Sequence, residues 1–197
     1  MEHLRLHRAP HRPVPLLPVI GEMALMPGRA HEICGPARRS LALEVAARTE
    51  GPVIWIRPEW QAEQLNPEGI GVAGLPGRLI FVQAKRAEDL LWCLEESLRS
   101  GAVALAVAEL PGPPPLTPVR RLHLAAEAGA EARGRAPLGL ILTPGAGGAG
   151  GVESRWSLTP THTADRLGWR LERLRARTAP PARWQLDHLP TAAAALM

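Results

Sequence analysis

The sequence predicts an α/β domain: a mostly parallel sheet with helices on both faces, and antiparallel strands added at its C-terminal edge. Three observations carry this. Strand-like and helix-like runs alternate between Arg29 and Leu142. Strand-like runs such as Val103 to Ala108 are apolar throughout, as strands covered on both faces must be. After Gly151 the helical runs stop and only strand-like runs continue.

The elements follow in order. Residues 1–20 are rich in Pro, Arg and His and read as a loosely ordered arm. Arg29 to Cys34 is a short strand leading to a turn at Gly35. Ser40 to Arg48 is a helix, with Ser40 placed as its N-cap. Val53 to Arg57 and Leu79 to Val82 are apolar strands. Arg86 to Arg99 is the clearest helix, because Ala87, Leu90, Leu91, Leu94 and Leu98 share one face. Gly101 ends it, and the strand Val103 to Ala108 follows, terminated by Glu109. Pro111 to Pro115 form a rigid loop, Thr117-Pro118 opens the next helix, and Gly129 closes it. Leu138 to Leu142 is a further strand. The glycine-rich stretch Pro144 to Gly151 is a flexible loop, and it lacks the helix that must follow a dinucleotide-binding G-x-G-x-x-G. Arg155 to Leu158, Trp169 to Leu174 and Arg183 to Asp187 read as strands, the last two a hairpin turned at Pro180-Pro181 on the sheet edge. The expected division is an arm over 1–20, a core domain over 21–190 and a tail over 191–197.

At 197 residues the chain suits one domain with a sizeable core. Its basic residues are 22 Arg and one Lys, with no Tyr. A GC-rich genome accounts for that bias, so arginine abundance alone says nothing about DNA. Distribution says more. Residues 1–154 are formally neutral, whereas 155–183 carry seven Arg against Asp165 and Glu172, a net of +5. Such a patch attracts nucleic acid or an acidic protein face. Cys34 and Cys93 lie in apolar runs and read as free thiols. Prolines interrupt the first 20 residues, so no signal peptide is expected, and no apolar run suits a membrane span. A cytoplasmic protein is expected.

The stretch Gly35-Pro36-Ala37-Arg38-Arg39-Ser40-Leu41-Ala42 sits where a phosphate-binding loop belongs. A working loop reads G-x-x-x-x-G-K-S/T: glycines turn backbone N–H groups to the phosphates, lysine reaches the outer ones, and the hydroxyl holds Mg²⁺. Here those positions are Ser40, Leu41 and Ala42. No histidine pairs with another ligand at metal-binding spacing, and no nucleophile motif is present, so no metal, cofactor or catalytic residue is expected.

Leu25 to Pro36 resembles the strand entering the phosphate loop of RecA-type recombinases, and Leu90 to Glu109 resembles a later RecA stretch. The run Leu91-Trp92-Cys93-Leu94-Glu95-Glu96-Ser97-Leu98-Arg99-Ser100-Gly101-Ala102-Val103, with Arg120 to Gly129, is similar to the ImuA family of RecA-like accessory proteins. The resemblance implies a RecA-like fold and a role in SOS-induced, error-prone translesion DNA synthesis. It implies as partners an ImuB-like inactive polymerase homologue, an error-prone replicative-type polymerase and RecA itself. It places Glu109 at the acidic residue of the second nucleotide motif and Glu59 near the water-activating glutamate.

A degenerate nucleotide-site remnant is therefore expected at Gly35, Pro36, Arg38, Arg39, Ser40, Glu59 and Glu109. The expected surface for a protein partner or DNA is Arg155, Arg166, Arg170, Arg173, Arg175, Arg177 and Arg183, with Trp156, Trp169 and Trp184 interleaved. Two alternatives compete with a non-catalytic accessory role. One is a divergent ATPase using Arg38 or Arg39 for the lysine. The other is a single-stranded DNA-binding module in which tryptophans stack on bases. Strand alternation offers a plainer arrangement, with tryptophans inward and arginines solvated. Gln185-Leu186-Asp187-His188-Leu189 also resembles the short motif that binds the sliding clamp.

Overall fold

A computed structural model describes residues 15–190. It opens with a hairpin, β1 (Leu17–Ile20) and β2 (Met23–Leu25), so strand pairing reaches into the segment expected as arm. The chain then alternates: β3 (Ala30–Cys34), α1 (Arg38–Ala47), β4 (Val53–Pro58), α2 (Pro67–Val72), β5 (Leu79–Ala84), α3 (Ala87–Arg99), β6 (Leu105–Glu109), α4 (Leu116–Arg133) and β7 (Leu138–Leu142). Three strands end it: β8 (Ser154–Pro160), β9 (Trp169–Ala176) and β10 (Ala182–Leu186). The main sheet runs β10-β9-β8-β3-β7-β6-β4-β5. The six strands from β8 to β5 are mutually parallel, and β9 is antiparallel to both its neighbours. The α/β class and the antiparallel C-terminal edge are as the sequence predicts.

Side-chain alternation sorts the core into two layers. On one face Ile33, Trp55, Leu105, Val107 and Leu140 meet Leu41, Val45 and Ala46 of α1 and the β1–β2 hairpin. On the other, Ala30, Ala106, Ala108 and Ile141 meet Leu90, Leu94 and Leu98 of α3 and Val119, Leu122 and Ala126 of α4. Gly129 does not end α4. It lies inside the helix, buried where α3 and α4 cross, and a Cβ there would strike the carbonyl oxygen of Leu98. The helix runs on to Gly134, whose left-handed φ of +68° provides the C-cap. The short α2 has no apolar periodicity to announce it; Asn66 caps it by accepting from the Glu68 N–H at 2.9 Å.

The hairpin is tied to the sheet through a buried relay. Trp156 Nε1–H donates to Ser154 Oγ at 2.8 Å, so the Ser154 hydroxyl turns its own hydrogen to His31 Nδ1 at 2.7 Å. His31 Nε2–H then donates to the Met26 carbonyl at 3.1 Å. The relay requires neutral imidazole, and burial lowers the His31 pKa to about 4. Among the described residues no helix is long and apolar enough to cross a membrane.

Candidate functional site

Strand β3 ends at Cys34 and α1 starts at Arg38, so only Gly35, Pro36 and Ala37 connect them. Gly35 adopts φ +86°. A Cβ there would lie 2.6 Å from Ser157 Oγ and 2.8 Å from the Leu158 carbonyl oxygen, so only glycine lets the turn pack against β8. Pro36 has no N–H to offer. The Gly35 N–H donates to the Gly145 carbonyl at 3.0 Å, Ala37 to Leu158 at 3.1 Å and Arg38 back to Gly35 at 3.3 Å. A phosphate cradle uses free, convergent N–H groups, and these three are directed into the protein's own backbone.

The short turn also starts the helix earlier than expected. Ser40 is not the N-cap but a half-buried residue of the first helical turn; the cap position is Ala37, which makes no side-chain capping bond. Leu41 and Ala42, at the lysine and hydroxyl positions of the motif, are 0% exposed and face the core beneath α1.

Glu109, at the C-terminal end of β6, has both carboxylate oxygens engaged. Arg39 donates to its Oε2 from Nε at 2.9 Å and from Nη2 at 2.7 Å. Trp55 Nε1–H donates to its Oε1 at 2.8 Å. The guanidinium thus bridges the start of α1 to the end of β6, and its charge neutralises a side chain that is only 5% exposed. Glu63 Oε2 lies 3.8 Å from the same Arg39. Sequence reasoning missed Trp55 and Glu63. Only the oddity of a tryptophan in an aliphatic strand pointed to the first, and nothing pointed to the second.

Beside this ion pair a cavity of about 410 Å³ opens at the C-terminal edge of the sheet, lined by Arg38, Pro58, Trp60, Glu63, Glu109 and Pro144 among others. This is where doubly wound sheets bind ligands. Arg38 bonds the Gly35 carbonyl at 3.4 Å. Glu59 is exposed and does not line the cavity; its backbone N–H pairs with Ala84 at 2.9 Å. Burial pushes the Cys34 thiol up to about 11, so it stays protonated beside the turn.

The seven C-terminal arginines do not form a bare cationic face. Arg155 is turned inward onto Glu32 and the Ala149 carbonyl. Arg166 pairs with Asp187, Arg177 with Glu153 at 3.4 Å, and Arg170 and Arg183 both with Glu172, at 3.2 and 2.8 Å. Arg173 donates to the Pro180 carbonyl at 2.8 Å and lies over the rings of Trp156 and Trp184, 5.7 and 5.3 Å from their centroids. Arg175 is exposed and has no ion pair among the described residues. Trp156 is 2% exposed and stacks on Trp184 at 5.9 Å, and Trp169 and Trp184 pack against the core. The clamp-like pentapeptide is engaged at both ends, though Gln185, Asp187 and His188 are exposed: Gln185 donates to Thr161 Oγ1 at 2.7 Å, and Leu189 is buried.

The glycine-rich loop after β7 is held in place. The buried carboxylate of Glu32 accepts from Thr143 Oγ1 at 2.6 Å and from the N–H groups of Gly148 and Ala149, besides pairing with Arg155. A Cβ at Gly147 would sit 2.6 Å from that carboxylate. The expectation of a flexible loop is corrected: a four-sided set of hydrogen bonds to one buried anion orders it. Among the described residues no three His, Cys, Asp or Glu side chains gather as a metal site.

No family model matches the chain. It is 34% identical to Protein ImuA of Caulobacter vibrioides strain NA1000 / CB15N over 159 residues, covering 71% of this chain and 62% of that protein. Protein ImuA of strain ATCC 19089 / CIP 103742 / CB 15 of the same species is similar to the same extent. The chain thus spans 62% of the length of the curated relatives it matches. The matching proteins carry the family name that the Leu91 to Val103 motif suggests, and on that similarity the chain belongs to the ImuA family.

Proposed function

We propose that this chain is a non-catalytic, RecA-like accessory protein of SOS-induced, error-prone translesion DNA synthesis. It acts by docking to an ImuB-type polymerase homologue, with RecA and the error-prone replicative-type polymerase as further contacts and DNA reached through them. Family membership supports the pathway. The observation that carries the non-catalytic part is the saturation of Glu109 by Arg39 and Trp55 beside a turn whose Gly35, Ala37 and Arg38 N–H groups are already paired. Phosphoryl transfer needs a cation and donors placed for the transferring group, and this geometry supplies an internal guanidinium bonded to the acid that would hold the metal. A parallel sheet bearing the vestigial turn on an interior strand, with α1 on one face and α3 and α4 on the other, supports descent from a nucleotide-binding ancestor.

Among the described residues, the divergent-ATPase reading retains only Arg38 as a cation lining the cavity without an acidic partner. Two measurements on purified protein and native cells separate the readings. We expect no ATP turnover above a blank with Mg²⁺, no change in Glu109→Gln, and recovery of an ImuB-like protein in a tagged pull-down from DNA-damaged cells. Hydrolysis abolished by Glu109→Gln would overturn the proposal. Oligonucleotide binding that weakens steeply with salt, without recovery of a polymerase homologue, would favour the direct DNA reading.

A further inference from the structure

The available basic surface lies at the opposite end of the sheet from the vestigial turn. A cavity of about 410 Å³ opens at the N-terminal edge of β6 and β7, between the C-terminal ends of α1 and α4. Leu17, Pro27, Ala104 and Leu138 give it apolar walls, and Arg48 and Arg135 line it from the two helix ends. Both arginines are exposed, and neither has an ion pair among the described residues. Arg78 adds like charge beside them, held by its bonds to the carbonyls of Thr49 at 2.5 Å and Gly51 at 3.0 Å. Glu50 is the one acidic group among the described lining residues. Six of the seven arginines on β8–β10 and their loops are by contrast paired internally, as described above.

Arginines near helix C-termini complement the helix dipoles, which accounts for their charge but not for an apolar hollow between them. The hollow and the charges together select the occupant. A phosphodiester backbone would leave the apolar walls unfilled. The chain's own residues 1–14 carry Arg5, Arg8 and Arg12 against Glu2, the same sign as the rim. We propose that this cavity docks an acidic segment of a protein partner, with an apolar side chain in the hollow and flanking carboxylates on Arg48 and Arg135. The proposal goes beyond the function above and depends neither on the turn at Gly35 nor on Glu109.

The test uses the full chain and a fluorescein-labelled octapeptide, Asp-Glu-Asp-Leu-Phe-Asp-Glu-Asp, read by anisotropy. Saturable binding is expected, weakened about tenfold or more when Leu-Phe becomes Ser-Ser or when Arg48→Glu and Arg135→Glu are combined. Ala136→Trp, which fills the hollow and leaves both arginines, should weaken it equally, with circular dichroism confirming the fold of each variant. Three results each overturn the proposal: no saturation of the wild type at about 1 mM peptide, equal binding of a version with lysine for every acidic residue, or indifference to the double charge reversal. Binding of a single-stranded oligonucleotide in place of the peptide also overturns it, and assigns the surface to nucleic acid.

Discussion

Leu41→Lys places at position 41 the lysine that a phosphate-loop motif carries there. In the folded chain it should wreck the core and create no nucleotide site. Leu41 is 0% exposed, packed in the layer that contains Val45, Trp55 and Leu105. Withdrawing a buried leucine costs about 2 kcal/mol. An ammonium in its place must be desolvated beneath α1, and even with its stem extended toward solvent it adds roughly 3 kcal/mol more. The sum, about 5 kcal/mol, is comparable to the whole stability of a marginal domain. Urea unfolding followed by tryptophan fluorescence reads it, because Trp55 and Trp156 are buried. With a slope of about 2 kcal/mol per molar urea, the midpoint should fall by about 2.5 M or the variant should not fold at all. Leu41→Met, nearly equal in volume, should cost less than about 1.5 kcal/mol. A Leu41→Lys protein that unfolds at the wild-type midpoint and binds a fluorescent ATP analogue with Mg²⁺ would refute the reasoning, because position 41 would then face the cavity.

Three further outcomes follow from named contacts. Arg39→Ala leaves Glu109 unneutralised; with Arg39 22% exposed, the expected loss is about 2 kcal/mol. A double-mutant cycle with Glu109→Gln should return a coupling of about 1 kcal/mol or more, and a value near zero would show the pair to be incidental. Glu32→Gln should speed hydrogen exchange at the Gly148 and Ala149 amides about tenfold, since both donate to that carboxylate; unchanged exchange would mean the loop is ordered by other contacts. Stability should also fall in acid because of His31. Its folded pKa of about 4 lies below the ordinary imidazole value of 6.5, so the unfolded chain takes up the proton first. The stabilisation is complete above about pH 6.5 and is lost as pH falls to about 4, by roughly 3 kcal/mol in all. Burial lowers the His123 pKa too, in the same direction. His31→Gln should flatten that slope measured by urea unfolding at pH 7, 5.5 and 4.5, and an unaltered slope would assign it to other groups.

Burial patterns that repeat along the chain were legible from composition and spacing. The apolar runs of β4, β6 and β7 and the periodic face of α3 mark elements whose hydrophobic sides leave no alternative. α2 and the β1–β2 hairpin escaped because both are short and owe their place to neighbours: Asn66 caps one, and the Trp156–Ser154–His31 relay holds the other. Gly129 misled because glycine serves two ends, stopping a helix and letting two helices touch. Only the position of the Leu98 carbonyl separates them.

That the glycine, lysine and hydroxyl positions of a phosphate-loop motif are filled by Ser40, Leu41 and Ala42 was written in the sequence, because identities need no coordinates. What surrounds that turn was decided by tertiary structure alone. Arg39 and Glu109 are 70 residues apart, and Trp55 is 54 from Glu109, so no local pattern could announce that they meet. The C-terminal arginines show the same division. Counting charge over 155–183 gave +5, yet their partners Glu32, Glu153 and Asp187 lie outside that window. Net charge is a property of composition. Free charge depends on which carboxylate the fold brings within reach, and strand pairing sets that distance.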